Sequence, residues 1–227
     1  MMKKRGIFIT GSGTDVGKTF VSKLLFECFS ASGNKTGYMK PVQTGCILES
    51  DGEIIAPDAR YVLSSNVNDI NTIVPYRFEP ACSPHLAASL AGTKISLQKI
   101  TDTFLKLQDT CEVILVEGAG GVMVPFNNKE FTSDLIKALD IPAILITTPG
   151  LGTINHTLLS IDALRHSGVE LIGIVINNAG NIARDFIYED NVRFISEKST
   201  VPCIETGYGA TVDHNVKEFC DELKNRL

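Results

Sequence analysis

A doubly wound α/β fold, a mainly parallel sheet with helices on both faces, is predicted for this 227-residue chain by three observations. Short unbroken apolar runs alternate with stretches whose apolar residues recur at helical spacing, the pattern of fully buried strands and crossover helices. The first run, Gly6-Ile7-Phe8-Ile9, breaks into Thr10-Gly11-Ser12-Gly13-Thr14-Asp15-Val16-Gly17-Lys18-Thr19 and then into an amphipathic helix. That is the strand, loop and helix order of a phosphate loop, so the fold is of phosphate-loop NTPase type. Polar residues fall just past the ends of successive runs, where a parallel sheet gathers its ligands. At this length one domain, residues 1–227, is expected.

Each element has its own justification. In the loop, Gly11, Gly13 and Gly17 let backbone N–H groups turn toward phosphate oxygens, Lys18 brings a positive charge and Thr19 a hydroxyl able to ligate Mg²⁺. Ser12 stands where the common template has glycine, so the loop is a variant form. The helix that follows carries Val21, Leu24, Leu25, Cys28 and Phe29 on one face and stops at Gly33. Residues 36–42 read as a second strand, ended by Pro41, with Lys40 and Thr44 on the loop beyond it. Between residues 46 and 84 the pattern weakens to a helix start at Pro57-Asp58 and a short edge strand over residues 73–76. Ser83-Pro84 opens a helix that Gly92 ends, and Ser96 caps another bearing Leu97, Ile100, Phe104 and Leu107. Residues 112–117 form a buried strand ending at Glu117, followed by Gly118-Ala119-Gly120-Gly121. Two more such strands, residues 143–147 and 171–176, each follow a helical stretch, with Gly150-Leu151-Gly152 opening one helix and Gly168 closing it. A helix around residues 186–195, a strand at 201–204 and a terminal helix with Val216, Phe219 and Leu223 complete the chain.

Composition narrows the function. A net charge of −5 and a pI near 5.4, with Lys and Arg scattered, offer no basic field for nucleic acid. Six widely spaced cysteines without C-x-x-C spacing read as reduced core residues, not as a zinc site. Residues 1–5 are basic, but the three apolar residues that follow Gly6 are too few for a signal-peptide core or a membrane span. A cytoplasmic enzyme is expected.

The candidate site collects at strand ends. Glu117 ends four apolar residues, the placement of an acid that holds Mg²⁺ or its water in phosphate-loop enzymes. Asp58 is equally a magnesium ligand or a first-turn acid favoured by the helix dipole. Lys40, beside Pro41 at the neighbouring edge, is placed to stabilise transferring charge. Asn177 carries an amide that matches a purine edge, although Asn also suits a strand-ending turn. His85, His156, His166 and His214 show no triad or ligand spacing and are read as structural.

Five stretches together carry a resemblance: Thr10 through Thr19, Lys40-Pro41-Val42-Gln43-Thr44-Gly45, Val116-Glu117-Gly118-Ala119-Gly120-Gly121, Gly150-Leu151-Gly152-Thr153-Ile154-Asn155-His156 and Gly173-Ile174-Val175-Ile176-Asn177-Asn178. In order and spacing the chain resembles the dethiobiotin synthetase family over nearly its whole length. That resemblance implies a ligase that closes the ureido ring of dethiobiotin from 7,8-diaminopelargonate, CO₂ and ATP through a carbamate and a carbamic–phosphoric anhydride. It implies nucleotide contacts at Asp15, Val16, Gly17, Lys18, Thr19, Phe20, Asp58, Glu117, Gly118, Ala119, Gly120, Asn177, Asn178 and Pro202. Thr19, Asp58 and Glu117 would surround Mg²⁺, with Lys40 and Lys18 catalytic. Thr14 and Thr44 would contact the diamine or its carbamate. Gly150, Leu151 and Asn155, with Tyr188, would meet the substrate carboxylate from the partner subunit of a homodimer. Where the family more usually has Pro-Trp-Leu this chain has Pro202-Cys203-Ile204, a departure at the base contacts.

Rival classes lack their marks. A membrane-cycling ATPase carries a lysine early in the loop, where this chain has Ser12-Gly13-Thr14, and residues 216–227 form no basic membrane tether. A GTPase would show Asn-Lys-x-Asp in place of Asn177-Asn178-Ala179-Gly180. Amide-forming relatives that act on a larger carboxylate add an amidotransferase domain for which 227 residues leave no room.

Overall fold

In a computed structural model, residues 5–50, 52–64 and 73–227 are described; the basic residues 1–4 lie outside them. Strand β1 (Gly6–Gly11) is buried along its whole length, and its apolar run explains why, since both faces are covered. On β1 the residues alternate in direction. A Cβ at Gly6 would meet the Phe104 ring, in the helix Leu97–Gln108, at 2.8 Å, and one at Gly173, in register through Ile144 with Ile9 and so of opposite parity to Gly6, would meet the Phe219 ring, in the helix His214–Asn225, at 2.7 Å. Helices therefore pack on both faces, as the periodicity predicts.

Strands β2 (Thr36–Met39), β7 (Val113–Gly121), β8 (Ala143–Thr147), β9 (Leu171–Asn177) and β10 (Cys203–Thr206) join β1 in a six-stranded sheet of order β10-β9-β8-β1-β7-β2. All five pairings are parallel. Ile7, Ile9, Ile114, Leu115, Ile144, Leu145, Ile174 and Val175 are fully buried at its centre. The register sets Ile9 beside Glu117, and Asn177 beside Thr206, so the polar strand ends share one edge. Helix α1 (Lys18–Ala31) follows the loop, with α2 (Pro57–Leu63), α3 (Pro84–Leu90), α4 (Leu97–Gln108), α5 (Thr132–Leu139), α6 (Thr153–His166), α7 (Phe186–Lys198) and α8 (His214–Asn225) after it. Ser96 caps α4 as its sequence predicts, accepting from Lys99 N, while Asp185 and Asp213 cap α7 and α8.

The structure corrects four boundaries. The strand expected over residues 36–42 is split: β2 ends at Met39, the chain bends through Lys40-Pro41, and β3 (Val42–Thr44) pairs instead with β6 (Tyr76–Phe78). Pro41, with no N–H to donate, marks the break. Thr44 is thus a strand residue and not a loop residue, and the edge strand expected at residues 73–76 begins only after Pro75. Strand β7 runs past Glu117 to Gly121, because Gly121 still pairs with Gly11 across a bulge. A hairpin of β4 (Ile47–Leu48) and β5 (Ile54–Ile55) was not legible, since two-residue strands have no period to read.

Candidate functional site

The site grows from the end of β1. Ser12 N donates to Ile146 O at 2.8 Å, anchoring the loop to β8 as it leaves the sheet. Gly17 takes φ +86°, and a Cβ there would lie 1.9 Å from Asn177 Nδ2, so both conformation and space demand glycine. Lys18 opens α1 and folds back over the loop, its Nζ donating to Gly13 O at 3.1 Å. Burial, followed by the nearby Lys40 charge, lowers the Lys18 ammonium to about 8.

Glu117 is the hub. Its side chain is fully buried at the end of β7, where Oε1 accepts from Thr19 Oγ1 at 2.8 Å and Lys40 Nζ at 2.6 Å, and Oε2 accepts from Tyr38 OH at 2.9 Å. Lys40 Nζ also lies 2.5 Å from Asp58 Oδ2, which the first turn of α2 delivers. Burial opposes the charge on Lys40, but Glu117 and Asp58 outweigh it and hold the ammonium above its ordinary range. Burial and then Glu117 push the Tyr38 phenol well up, so it remains a donor. The sequence leaves two roles open for Asp58, and the structure gives it the lysine as a partner.

A cavity of about 810 Å³ opens over this cluster, lined by Thr14, Asp15, Gly17, Lys18, Thr19, Lys40, Thr44, Asp58, Glu117, Ala119 and Gly120 among others. These eleven predicted residues are thereby brought together. Gly118 adds its carbonyl 3.4 Å from Lys40 Nζ. A larger cavity of about 1070 Å³, edged by Arg5, Phe104 and Asp140, lies at the strands' opposite end and holds none of the predicted residues. Size alone does not mark the site; the C-terminal edge of the parallel strands does.

The remaining predicted residues sit elsewhere. Val16 is buried beneath the loop and Phe20 packs against the core. Asn177 is fully buried, donating to Val16 O at 2.9 Å and accepting from Thr206 Oγ1 at 3.0 Å, so its amide braces the loop against β10. Asn178 exchanges bonds with the Ile182 backbone. Pro202 requires correction. It precedes β10, and because β10 runs parallel to its neighbours, the four residues Cys203–Thr206 carry the chain roughly 13 Å before it reaches the ligand edge. Gly207 and Tyr208 follow the strand at that edge, not Pro202. Gly150, Leu151 and Asn155 lie on the turn that opens α6, outside the cavity lining. The Tyr188 OH donates to Glu205 at 2.6 Å, beside an Arg184 that also pairs with Glu205, and burial and Glu205 raise the phenol to about 12.

Tyr38, Gln43 and residues 81–84 belong to the site or its wall without having been singled out. For Tyr38 a signal existed: it precedes Lys40 by two, the spacing that puts strand side chains on one face.

Against known proteins, the family described as AAA domain matches residues 5–206. The ATP-dependent dethiobiotin synthetase BioD of Thermodesulfovibrio yellowstonii is 37% identical over 210 residues, covering 88% of this chain and 87% of the relative. That of Methanococcus vannielii is 37% identical over 96% of this chain and 97% of its own. That of Clostridium acetobutylicum is 34% identical over 97% and 92%. Among solved structures, the cell division ATPase MinD of Pyrococcus furiosus superposes with a TM-score of 0.56 at 16% identity, over 99% of this chain and 100% of its own. A plasmid partition protein of Borrelia burgdorferi reaches 0.59 at 11% identity, over 99% and 98%. At such identities the two structures speak to the fold alone.

Proposed function

Because this chain belongs to the ATP-dependent dethiobiotin synthetase family, and so is an ATP-dependent ligase of biotin synthesis, we propose that its cavity closes the ureido ring of dethiobiotin from 7,8-diaminopelargonate and CO₂. One observation carries the reading: the buried Lys40 ammonium stands at the mouth of the phosphate loop, 2.6 Å from Glu117 and 2.5 Å from Asp58. A nucleotide switch needs no second lysine beyond the loop, whereas transfer of a phosphoryl group to a carbamate gains from one.

The chemistry needs no protein nucleophile. One amine of the diamine takes up CO₂ and sheds a proton, giving a carbamate. A carbamate oxygen attacks the γ-phosphorus, the bond to ADP breaks, and a carbamic–phosphoric anhydride forms. The second amine attacks the carbamoyl carbon, loses a proton and expels phosphate as the ring closes. In this reading Asp15 to Phe20 and Gly118 to Gly120 hold the nucleotide, Lys18 binds its phosphates, and Lys40 stabilises charge as the carbamate attacks. Thr14 and Thr44, both lining the cavity, contact the diamine or carbamate. Asn177 and Asn178 are assigned to the base, Asn177 by exchanging its bonds to Val16 O or Thr206 for the adenine edge; equal turnover with every triphosphate would remove adenine reading by Asn177.

The donor set fits Mg²⁺. Thr19, Asp58 and Glu117 offer hard oxygens, and a cationic group, the Lys40 ammonium, already lies between the two carboxylates. Bound there, the ion would supply charge neutralisation at the phosphates. The substrate carboxylate is assigned to Gly150, Leu151 and Asn155 of a partner subunit, with Tyr188 nearby, because that turn opens α6 at its positive N-terminal end, without a side-chain cap, yet lies outside the protomer's own cavity. ATP-dependent incorporation of labelled bicarbonate into product with 7,8-diaminopelargonate as acceptor tests the whole proposal. No incorporation would remove it.

A further inference from the structure

We infer that Tyr38 is a positioning residue for the proposed metal and phosphate site, fixing the plane of the Glu117 carboxylate so that Oε1 faces Thr19 and Lys40. The inference rests on the role proposed for Glu117 and deepens it. Tyr38 sits on β2 and Glu117 on β7, adjacent strands in register at Met39 and Val116, which brings the phenol under the carboxylate. Both side chains are fully enclosed. Among the described residues Tyr38 is the one donor to Oε2, at 2.9 Å, whereas Oε1 receives both Thr19 and Lys40.

A carboxylate held from one oxygen can rotate about its last bond; held from both, it cannot. Deleting the Tyr38 hydroxyl would leave Oε2 buried and undonated, and the group would turn to seek another partner, carrying Oε1 away from Thr19. Partners that orient a ligand in this way typically alter metal affinity by about 10- to 100-fold when removed. Tyr38 touches no reacting atom, so its effect passes through Glu117 alone.

The test is Tyr38→Phe, read by Mn²⁺ binding in the presence of ADP. Metal affinity should fall by ~10- to 100-fold, metal-free ADP affinity should hold, and turnover should recover as Mg²⁺ is raised. A purely structural tyrosine would lower the melting temperature and leave metal affinity and Mg²⁺ rescue untouched, and that result would overturn the inference. A second arm places the change in Glu117→Gln, whose amide keeps the shape of the side chain but removes the carboxylate through which Tyr38 is argued to act, with Asp58 left to pair Lys40. There Tyr38→Phe should add nothing; a further loss of metal affinity would show that Tyr38 acts by another route. If the unmutated protein binds no metal with ADP, the metal reading itself fails and the Tyr38 role goes with it; metal binding without ring closure would sink the reaction and leave Tyr38 standing.

Discussion

At the scale of single residues, the two lysines should separate by what each contributes. Lys18, bridging the loop, would touch phosphate in the ground state and in the transition state, so Lys18→Ala should weaken triphosphate binding and catalysis together. Lys40 is held off the loop by Asp58 and Glu117, and its loss should lower turnover by about 10²- to 10³-fold, roughly 3 to 4 kcal/mol, with little change in ATP affinity. Single-turnover ring closure beside equilibrium ATP binding decides it; near-normal closure by Lys40→Ala would take that residue out of the mechanism. Lys18 also sets a pH dependence. Its ammonium, lowered to about 8 by burial and by Lys40, is charged below that pH and lost above it, and bound phosphate favours the charged form. Nucleotide affinity should therefore be full below pH 8, fall above it, and be accompanied there by proton uptake. Calorimetry in two buffers of unlike ionisation heat measures that uptake, and Lys18→Met should abolish it. Lys18 was legible from the Gly-rich loop that it ends, and Lys40 from its place beside Pro41 at the end of a strand. Gln43 was not, since within a strand it looks like any half-polar alternation, and Tyr38 was marked only by standing two residues before Lys40.

Among elements, the phosphate loop is fixed from behind as much as by its own glycines. Asn177, at the end of β9, spans from Val16 O to Thr206, and Gly17 leaves it the room to do so. Gly17→Ala should abolish nucleotide binding while the sheet stays folded, because φ is +86° and the new methyl would collide with the amide. Circular dichroism beside ATP titration checks this, and retained binding would show that the loop can reshape. The alternation of strands and helices came through from periodicity because central strands such as Ala143–Thr147 are apolar throughout. What failed were elements whose limits depend on partners. Cys203–Thr206 is half-buried and short, so its start, and hence the place of Pro202, is set by pairing with β9 and leaves no mark in the local pattern. The hairpin over Ile47–Leu48 and Ile54–Ile55 escaped for the same reason.

On the scale of the whole molecule, α6 has part of its polarity turned inward. Its buried positions include Thr153, Thr157 and Ser160, with the Thr153 and Thr157 hydroxyls bonded to Thr147, while Leu158 and Leu159 face out and Leu151 precedes them on the same stripe as Asn155. Leu151 is 88% exposed and Leu159 61%. Ile182 lies against Gly150, and the exposed Phe186 opens the neighbouring α7. Although Leu164 of the same helix is buried, leucines exposed over buried hydroxyls mark this outer face as a candidate contact surface. In the function proposed above the same stripe carries the turn assigned to the substrate carboxylate, so a second copy of the chain would both cover this face and complete a site. Replacing Leu159 and Phe186 together with glutamate should then set like charges across a two-fold interface, give a monomer by light scattering, and abolish 7,8-diaminopelargonate binding. ATP binding should persist, since the phosphate loop and its Asn177 brace lie within one protomer. A monomeric variant that still binds the diamine would detach the substrate site from the interface, and an unchanged dimer would move the interface to another face.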